Sequence, residues 1–281
     1  MQLTRYSSEI NQKIWSLAWD HLRGFNGVDD SIIYKHLDNY KNRKPKSISG
    51  RDSIFFEMVG SLTEQRQVPY TIGDISRFDK ILFGFDPVTV ANSYSDWEQL
   101  FDAFQNGLAS PKGRFNKESP RDTWVKYSKG VLDIARFLSR FRSIKEYEKF
   151  LKGFRTNEFS KLALPLLLDK EITFMGFALA CNFLKETTGH GEYVKPDIHI
   201  IDLFYGIGLS STRDPYRVFK DVLLYSKSIN QVPYCVDKVF WLIGSCKFYL
   251  SWKGKDQYRN HKLCTDSKKF FIKMVKDKLS I

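Results

Sequence analysis

One carboxylate in this chain stands where it could do chemistry. Asp197 lies in the run Lys195-Pro196-Asp197-Ile198-His199, directly before an apolar helical pattern. Proline cannot continue a helix but fits just before a new one, so the pattern predicts that Asp197 caps a helix over 197–205. Such a carboxylate is fixed in place and kept ionised by the helix dipole. Asp197 could therefore stabilise a positive charge on a substrate, or be a simple cap; the two roles are compatible.

A second titratable group lies within one turn of that carboxylate. His199 is surrounded in sequence by Ile198, Ile200 and Ile201. A general acid at this position is conceivable. A histidine among branched apolar residues is more often a packed, hydrogen-bonded structural residue, so we do not assign His199 to catalysis.

An apolar segment upstream is predicted to position the carboxylate. Nearly every residue from 175 to 184 is apolar, which favours a core helix buried on all sides. A polar, Gly-rich loop follows and leads to Asp197. We interpret the arrangement as a core helix that delivers one carboxylate to a basic cleft.

The rest of the chain also predicts helices, and it shows no strand alternation, repeat or low-complexity tract. The predicted fold class is all-α. Apolar periodicity and capping residues predict helices over 8–24, 31–40, 53–62, 75–83, 95–104, 124–141, 144–154, 159–168, 197–205, 214–225, 232–250 and 265–279. The basic, Pro-broken stretch 41–46 is predicted to be a linker that touches DNA phosphates or nothing.

The composition gives more information about binding partners than about the fold. The 281 residues carry a formal net charge of +12 and are 42% hydrophobic. Such an excess of positive charge attracts polyanions, most plausibly nucleic acid; a basic surface without that partner is the alternative. A strongly basic C-terminal helix adds to the charge, and its face either contacts phosphate or is simply solvated. Its lysines are Lys268, Lys269, Lys273, Lys276 and Lys278.

The sequence shows no membrane or secretion signal. No apolar stretch reaches the length of a membrane span, and the N-terminus lacks the apolar region of a signal peptide. We expect no membrane partner and a cytoplasmic (nucleoid-associated) or nuclear location. The four cysteines contain no C-x-x-C pair, and we expect them to be reduced.

Three segments, in the same order, resemble the helix-hairpin-helix (HhH-GPD) superfamily of base-excision DNA glycosylases. Residues 56–65 are similar to the early helix that ends in a Leu-Ser-x-Gln-type turn, here Leu62-Thr63-Glu64-Gln65. Residues 172–184 resemble the hairpin and its second helix, with 159–168 as the first. Residues 194–200 resemble the Pro-Asp-x-His segment. The resemblance covers roughly 53–209.

The departures from the family pattern also carry information. Of the family's Leu-Pro-Gly-x-Gly hairpin only the last glycine remains, as Gly176, and Phe174 stands where more backbone freedom is usual. Ala178 stands where lyase-competent members carry their Schiff-base lysine, which implies a monofunctional glycosylase. The later cysteines do not have the spacing of the iron–sulfur branch, so no cluster is expected. We expect no metal and no cofactor.

The resemblance also implies roles for single residues. Asp197 would be catalytic, stabilising the positive sugar as the base leaves. Because the target base must leave the duplex stack, Gln65 would enter the vacated gap, or it is an exposed residue at a helix end. Trp124 and Tyr127 would line the base pocket, although aromatic residues at helix starts are usually core. DNA backbone contacts would come from Gly176 and Lys195, the latter alternatively a solvated loop charge.

The implied architecture has two helical domains that flank a DNA-binding cleft. Residues 53–193 would form a central domain with the helix-hairpin-helix, and residues 1–52 and 194–281 would form the second. The expected partner is double-stranded DNA with a modified base, bound by a monomer that excises the base and leaves an abasic site for DNA repair. Alkylated, deaminated, oxidised and hypermodified bases all remain open.

Two other functions compete with this hypothesis. One is a metal-dependent DNA nuclease that uses Pro196-Asp197 and the later Asp266-Ser267-Lys268, although that pattern needs both acids on adjacent strands. The other is a non-catalytic DNA-binding protein that uses the hairpin for phosphate contact only. No zinc-ligand spacing, P-loop or nucleophile elbow is present.

Overall fold

The computed structural model describes residues 6–25, 27–41, 45–46, 48–65, 68–248 and 262–280. Over these ranges the ordered elements are fourteen α-helices and three short 3₁₀ helices, with no strand, which confirms the predicted all-α class. No described helix is long and apolar enough to cross a bilayer. Residues 42–44 of the predicted linker lie outside the described ranges.

The chain divides into two compact units. We refer to Lys46–Thr188 as the central unit and to Met1–Pro45 together with Gly189–Ile281 as the terminal unit. In the terminal unit the helices are α1 (Ser8–Arg23), α2 (Asp30–Lys41), α11 (Ile198–Gly206), α12 (Pro215–Ser228), α13 (Pro233–Ser245) and α14 (Lys262–Leu279). In the central unit they are α3 (Arg51–Ser61), α4 (Val68–Ile72), α5 (Pro87–Ser93), α6 (Trp97–Gly107), α7 (Thr123–Ser139), α8 (Ile144–Gly153), α9 (Glu158–Glu171) and α10 (Gly176–Thr188).

Helix α7 organises the central unit. Asp122 caps it, with Oδ1 accepting from the backbone N–H groups of Trp124 (2.8 Å) and Val125 (3.3 Å). Caps of this kind contribute about 1 kcal/mol to helix stability. Helix α7 packs against α3, α5 and α6, and almost its whole length is buried. Helix α7 therefore provides a rigid support for the segments that pack on it.

Helix α13 has the same role in the terminal unit. It contacts α1, α2, α11, α12 and α14. Phe240 on α13 meets Phe204 on α11 with ring centroids 5.2 Å apart, and it meets Phe271 on α14 at 5.9 Å. All three rings are fully buried, and each such ring contributes about 1.5–3 kcal/mol through burial. The core thereby fixes α11, the helix that begins after Asp197.

Two helix predictions need correction, and two helices were not predicted. The helix over 75–83 is wrong: the structure has separate 3₁₀ turns, Ile75–Phe78 and Phe83–Phe85, and Phe83, Gly84 and Phe85 have φ of 50°, 66° and 59°. Left-handed backbone of this kind cannot continue a right-handed helix. The helix over 232–250 is too long, because Cys246 is left-handed at φ 53° and ends α13. Helices α4 and α5 were missed.

Candidate functional site

Asp197 is the N-cap of α11, as the sequence predicted. Its Oδ1 accepts from the backbone N–H groups of His199 (2.9 Å) and Ile200 (3.2 Å). Its own N–H donates to the Lys195 carbonyl at 2.8 Å, which folds the preceding residues into a tight turn. The side chain is half-buried, and its Oδ2 accepts no hydrogen bond from the described part of the chain. One oxygen therefore holds the carboxylate in place, and the other accepts no hydrogen bond from any residue that the structure describes.

An apolar side chain lies next to this carboxylate. Ile198, the first residue of α11, is 57% exposed, whereas Ile200 and Leu203 of the same helix are fully buried. Lys195 on the other side is half-buried. The neighbourhood of Asp197 thus combines an exposed hydrocarbon surface with a nearby cation.

His199 is packed rather than open. Its ring lies 6.5 Å from that of Trp241, edge to face, and a Cβ atom added at Gly244 would approach His199 Cβ to 2.6 Å. Burial lowers the pKa of His199, and the negative charge of Asp197 offsets part of that effect. A partly buried imidazole that favours its neutral form fits the structural role to which we assigned it.

An ion-pair cluster fixes the other side of α11. Asp202 accepts from Lys268 of α14 and from Arg213. Burial acts to raise the pKa of Asp202, but the hydrogen bonds from the two cations outweigh it and the pKa is lowered. Arg213 also lies over the ring of Tyr205, with 5.5 Å between its Cζ and the ring centroid. Lys268 is thus partly neutralised by the protein itself.

Helices α9 and α10 are joined by a tight turn in the central unit. They pack against each other, and residues 172–175 connect them. Phe174 and Gly176 have φ of 71° and 63°. The left-handed conformation costs a non-glycine residue roughly 1–2 kcal/mol, so Phe174 holds a backbone shape for which glycine is better suited. Gly176 is exposed, and a Cβ atom added there would meet nothing within 4 Å.

The turn is seated on α7 by close backbone contact. A Cβ atom added at Gly130 of α7 would lie 2.5 Å from the Thr173 carbonyl oxygen and 2.8 Å from Leu62 Cδ1. Only glycine at position 130 allows this approach. The Thr173 N–H donates to Asp133 Oδ2, also on α7, at 2.9 Å. The Lys126 ammonium lies 5.9 Å from the centroid of the Phe174 ring.

Gln65 contacts the same turn between α9 and α10. Its side-chain amide donates to the Phe174 carbonyl at 2.5 Å, and the side chain is half-buried. One residue earlier, Glu64 accepts from the Asn182 amide of α10 at 2.6 Å. The turn before α4 is therefore tied both to the hairpin turn and to its second helix. No sequence pattern pointed to Asp133, Gly130 or the Glu64–Asn182 pair, apart from the isolated Asn182 within an apolar helix.

Trp124 and Tyr127 are core residues of the central unit. Both are 0% exposed, and they pack with Phe78 and Phe104 at centroid distances of 5.6–6.1 Å. The Tyr127 hydroxyl is buried without a hydrogen-bond partner among the described residues, and burial raises its pKa well above the ordinary value. In this structure neither ring has a surface on which a base could stack, so the core alternative describes them.

The remaining residues named from the sequence, namely Ala178, the cysteines and the two acids of the nuclease alternative, lie in helices or at helix ends. Ala178 is half-buried on α10. Cys181, Cys235 and Cys246 are free and buried. Within the described ranges no group of three or more His, Cys, Asp or Glu side chains is arranged to hold a metal ion. Asp197 caps a helix and Asp266 lies within one, so neither is on the adjacent strands that the nuclease alternative needs.

No family model, curated protein or solved structure matches this chain.

Proposed function

We propose that the protein is a monofunctional DNA glycosylase of the base-excision type. The observation that carries this proposal is the state of Asp197. One carboxylate oxygen is held by two backbone N–H groups at the start of α11, while the other accepts no hydrogen bond within the described ranges. A carboxylate that is fixed through one oxygen and leaves the other available is the group needed to stabilise a cationic sugar.

The reaction is hydrolysis of an N-glycosidic bond. As the bond between C1′ and the base nitrogen breaks, its electron pair leaves with the base and positive charge develops on the sugar. Asp197 Oδ2 stabilises that charge and orients a water molecule, whose oxygen bonds to C1′. The departing base takes up a proton, and the products are the free base and an abasic site with a hydroxyl group on C1′.

The absence of an amine nucleophile at one position favours hydrolysis over strand cleavage. Ala178 stands on α10 where the resemblance would put the Schiff-base lysine of lyase-competent glycosylases. A methyl group cannot form an imine with the sugar, so this residue leaves water as the nucleophile.

The hairpin between α9 and α10 is the proposed DNA backbone contact. Gly176 is exposed with open space around its Cα, so its backbone can approach a phosphate closely. The net charge of +12 supports a polyanionic partner. For Gln65 to fill the gap left by an extruded base, it must first give up its hydrogen bond to the Phe174 carbonyl. We therefore expect the turn at Gln65 to rearrange on binding.

The test is a panel of duplexes that each carry one altered base. Alkylated, deaminated, oxidised and hypermodified bases are incubated with the protein and then treated with hot alkali. Strand breakage that appears only after alkali and is unaffected by EDTA supports the proposal. Breakage without alkali that EDTA abolishes supports the metal-dependent nuclease instead. DNA binding without cleavage of any duplex supports the non-catalytic alternative.

A further inference from the structure

The most exposed large apolar side chain among the described residues lies in the central unit, one turn beyond Gln65. Tyr70 is 82% exposed on the short helix α4. The Val68 N–H donates to the Gln65 carbonyl at 3.2 Å, so α4 starts directly from that turn. The ring is thus mostly in contact with water, and the described residues around it cover little of its surface.

A basic loop lies against the same helix. A Cβ atom added at Gly113, whose φ is 87°, would approach Thr71 Cγ2 to 2.7 Å, so the loop backbone touches the residue next to Tyr70. Lys112 and Arg114 flank Gly113 and are both exposed. The cations are thus presented next to α4 rather than elsewhere on the unit.

Trp124, which is buried, holds this loop in place. Its Nε1 donates to the Lys112 carbonyl at 2.8 Å, and its ring stacks on that of Phe115 with centroids 4.6 Å apart and planes 19° from parallel. The backbone is therefore held on both sides of Arg114. The loop presents Lys112 and Arg114 from a fixed backbone, which reduces the ordering that binding would require.

Two cations of this loop are available to bind an anionic ligand. Lys112 and Arg114 form no ion pair with any residue in the described ranges, whereas Lys117 of the same loop pairs with Asp102 at 2.6 Å. At the end of α4, the Arg77 guanidinium donates to the Ile72 carbonyl at 2.7 Å and adds a third positive charge. Uncompensated cations beside a bare ring match phosphates beside an aromatic base.

We propose that Tyr70, Lys112 and Arg114 form a nucleic-acid contact in which a base stacks on Tyr70 and the two cations bind the adjoining phosphates. The bases of an intact duplex are already stacked on each other, so the occupant is a strand with at least one unstacked base: single-stranded DNA or a duplex opened by the protein. The inference rests on the proposed function only in taking DNA as the partner.

Binding of labelled oligonucleotides tests the inference. Fluorescence anisotropy of a single-stranded oligo-dT is compared for wild type, Tyr70→Ala and Tyr70→Phe, with Tyr34→Ala as a matched control because Tyr34 is 49% exposed in the terminal unit. Tyr70→Ala should weaken binding about 5- to 150-fold, and Tyr70→Phe should stay within about twofold of wild type. Because Tyr70 is so exposed, far-UV circular dichroism of the variants should match wild type.

The charge contribution is tested in the same assay. Arg114→Gln should reduce the slope of log affinity against log salt concentration by about 0.7. Lys149→Gln, which changes an exposed lysine on α8, should leave the slope unchanged.

Three results would overturn the inference. They are binding by Tyr70→Ala that equals wild type, a loss of affinity in Tyr70→Phe as large as in Tyr70→Ala, and binding of poly-glutamate as tight as that of the oligonucleotide. Base excision with no effect of Tyr70→Ala on binding leaves the glycosylase standing and removes the inference. Binding that depends on Tyr70, without excision of any base, supports the inference and removes the glycosylase.

Discussion

Replacing Gly130 with alanine should loosen the hairpin of the central unit. The added Cβ would lie 2.5 Å from the Thr173 carbonyl oxygen and 2.8 Å from Leu62 Cδ1. Leu62 is fully buried, and the Thr173 backbone is held by its hydrogen bond to Asp133, so neither neighbour can move freely. Overpacking of this kind costs about 1–3 kcal/mol, and two contacts at once favour the upper half of that range. Alanine returns about 1 kcal/mol through its helix propensity, which leaves a net loss of about 1–2 kcal/mol.

Gly153 provides a matched control within the same unit. It lies in α8, and a Cβ atom added there would meet nothing within 4 Å. Gly153→Ala should therefore be neutral or stabilising by up to about 1 kcal/mol. The same substitution is thus expected to have opposite signs at the two positions.

The free energy of unfolding of both variants can be measured by urea titration followed by circular dichroism. Amide hydrogen exchange adds a local readout, because a displaced hairpin should expose the Thr173 N–H that donates to Asp133. A Gly130→Ala protein as stable as Gly153→Ala, with unchanged exchange at Thr173, would refute the close seating of the hairpin on α7.

Three further outcomes follow from the structure. Burial lowers the pKa of His21 to about 4, so at this residue the unfolded chain binds more protons between pH 6.5 and 4. The contribution of His21 to stability should be constant above that window and fall by about 1.4 kcal/mol per pH unit within it. Urea titrations over this range should show a flatter dependence for His21→Gln. Asp133→Ala should cost about 1–2 kcal/mol by removing the acceptor for the Thr173 N–H, and Asp133→Asn should cost less; both are measured by urea titration. DNA affinity should fall steeply with salt, with a log–log slope of about −0.9 for each phosphate bound, and an affinity independent of salt would argue against a DNA role.

Local chemistry explains which elements could be predicted from the sequence. Asp197 was predicted as a cap, and the predicted helices over 214–225 and 8–24 also begin at capping residues. Asp197 and Asp214, the latter followed by Pro215, accept from backbone N–H groups of their helices. Ser7 caps the start of α1, and Gly24 lies at its end. Capping depends on residues three or fewer positions apart, so the chain itself carries the information. Asp86-Pro87 has the same signature, and it could have revealed α5.

Long-range contacts explain what could not be predicted. Gln65 and Phe174, or Asp133 and Thr173, are far apart in sequence, and no local pattern joins them. The positive φ of Phe83 and Cys246 has no local sequence signal either, since both residue types prefer right-handed or extended backbone.

Burial decided between the alternatives for the aromatic residues. A tryptophan at a helix start can line a pocket or fill a core, and the sequence is the same in both cases. Trp124 and Tyr127 are both fully buried. Tyr70 is exposed instead, on a helix that is too short for periodicity to reveal. Solvent exposure of single aromatic residues depends on the packing of their neighbours, which composition does not encode.

The most direct test of the central claim is the activity of Asp197→Asn on a duplex from which the wild type excises a base. Asparagine caps a helix as well as aspartate does, so α11 and DNA affinity should be unchanged while the negative charge is lost. We predict that excision falls by at least about a hundredfold, with the dissociation constant for DNA within about twofold of wild type. Excision by Asp197→Asn at the wild-type rate would contradict the central claim, because the carboxylate would then have no part in breaking the glycosidic bond.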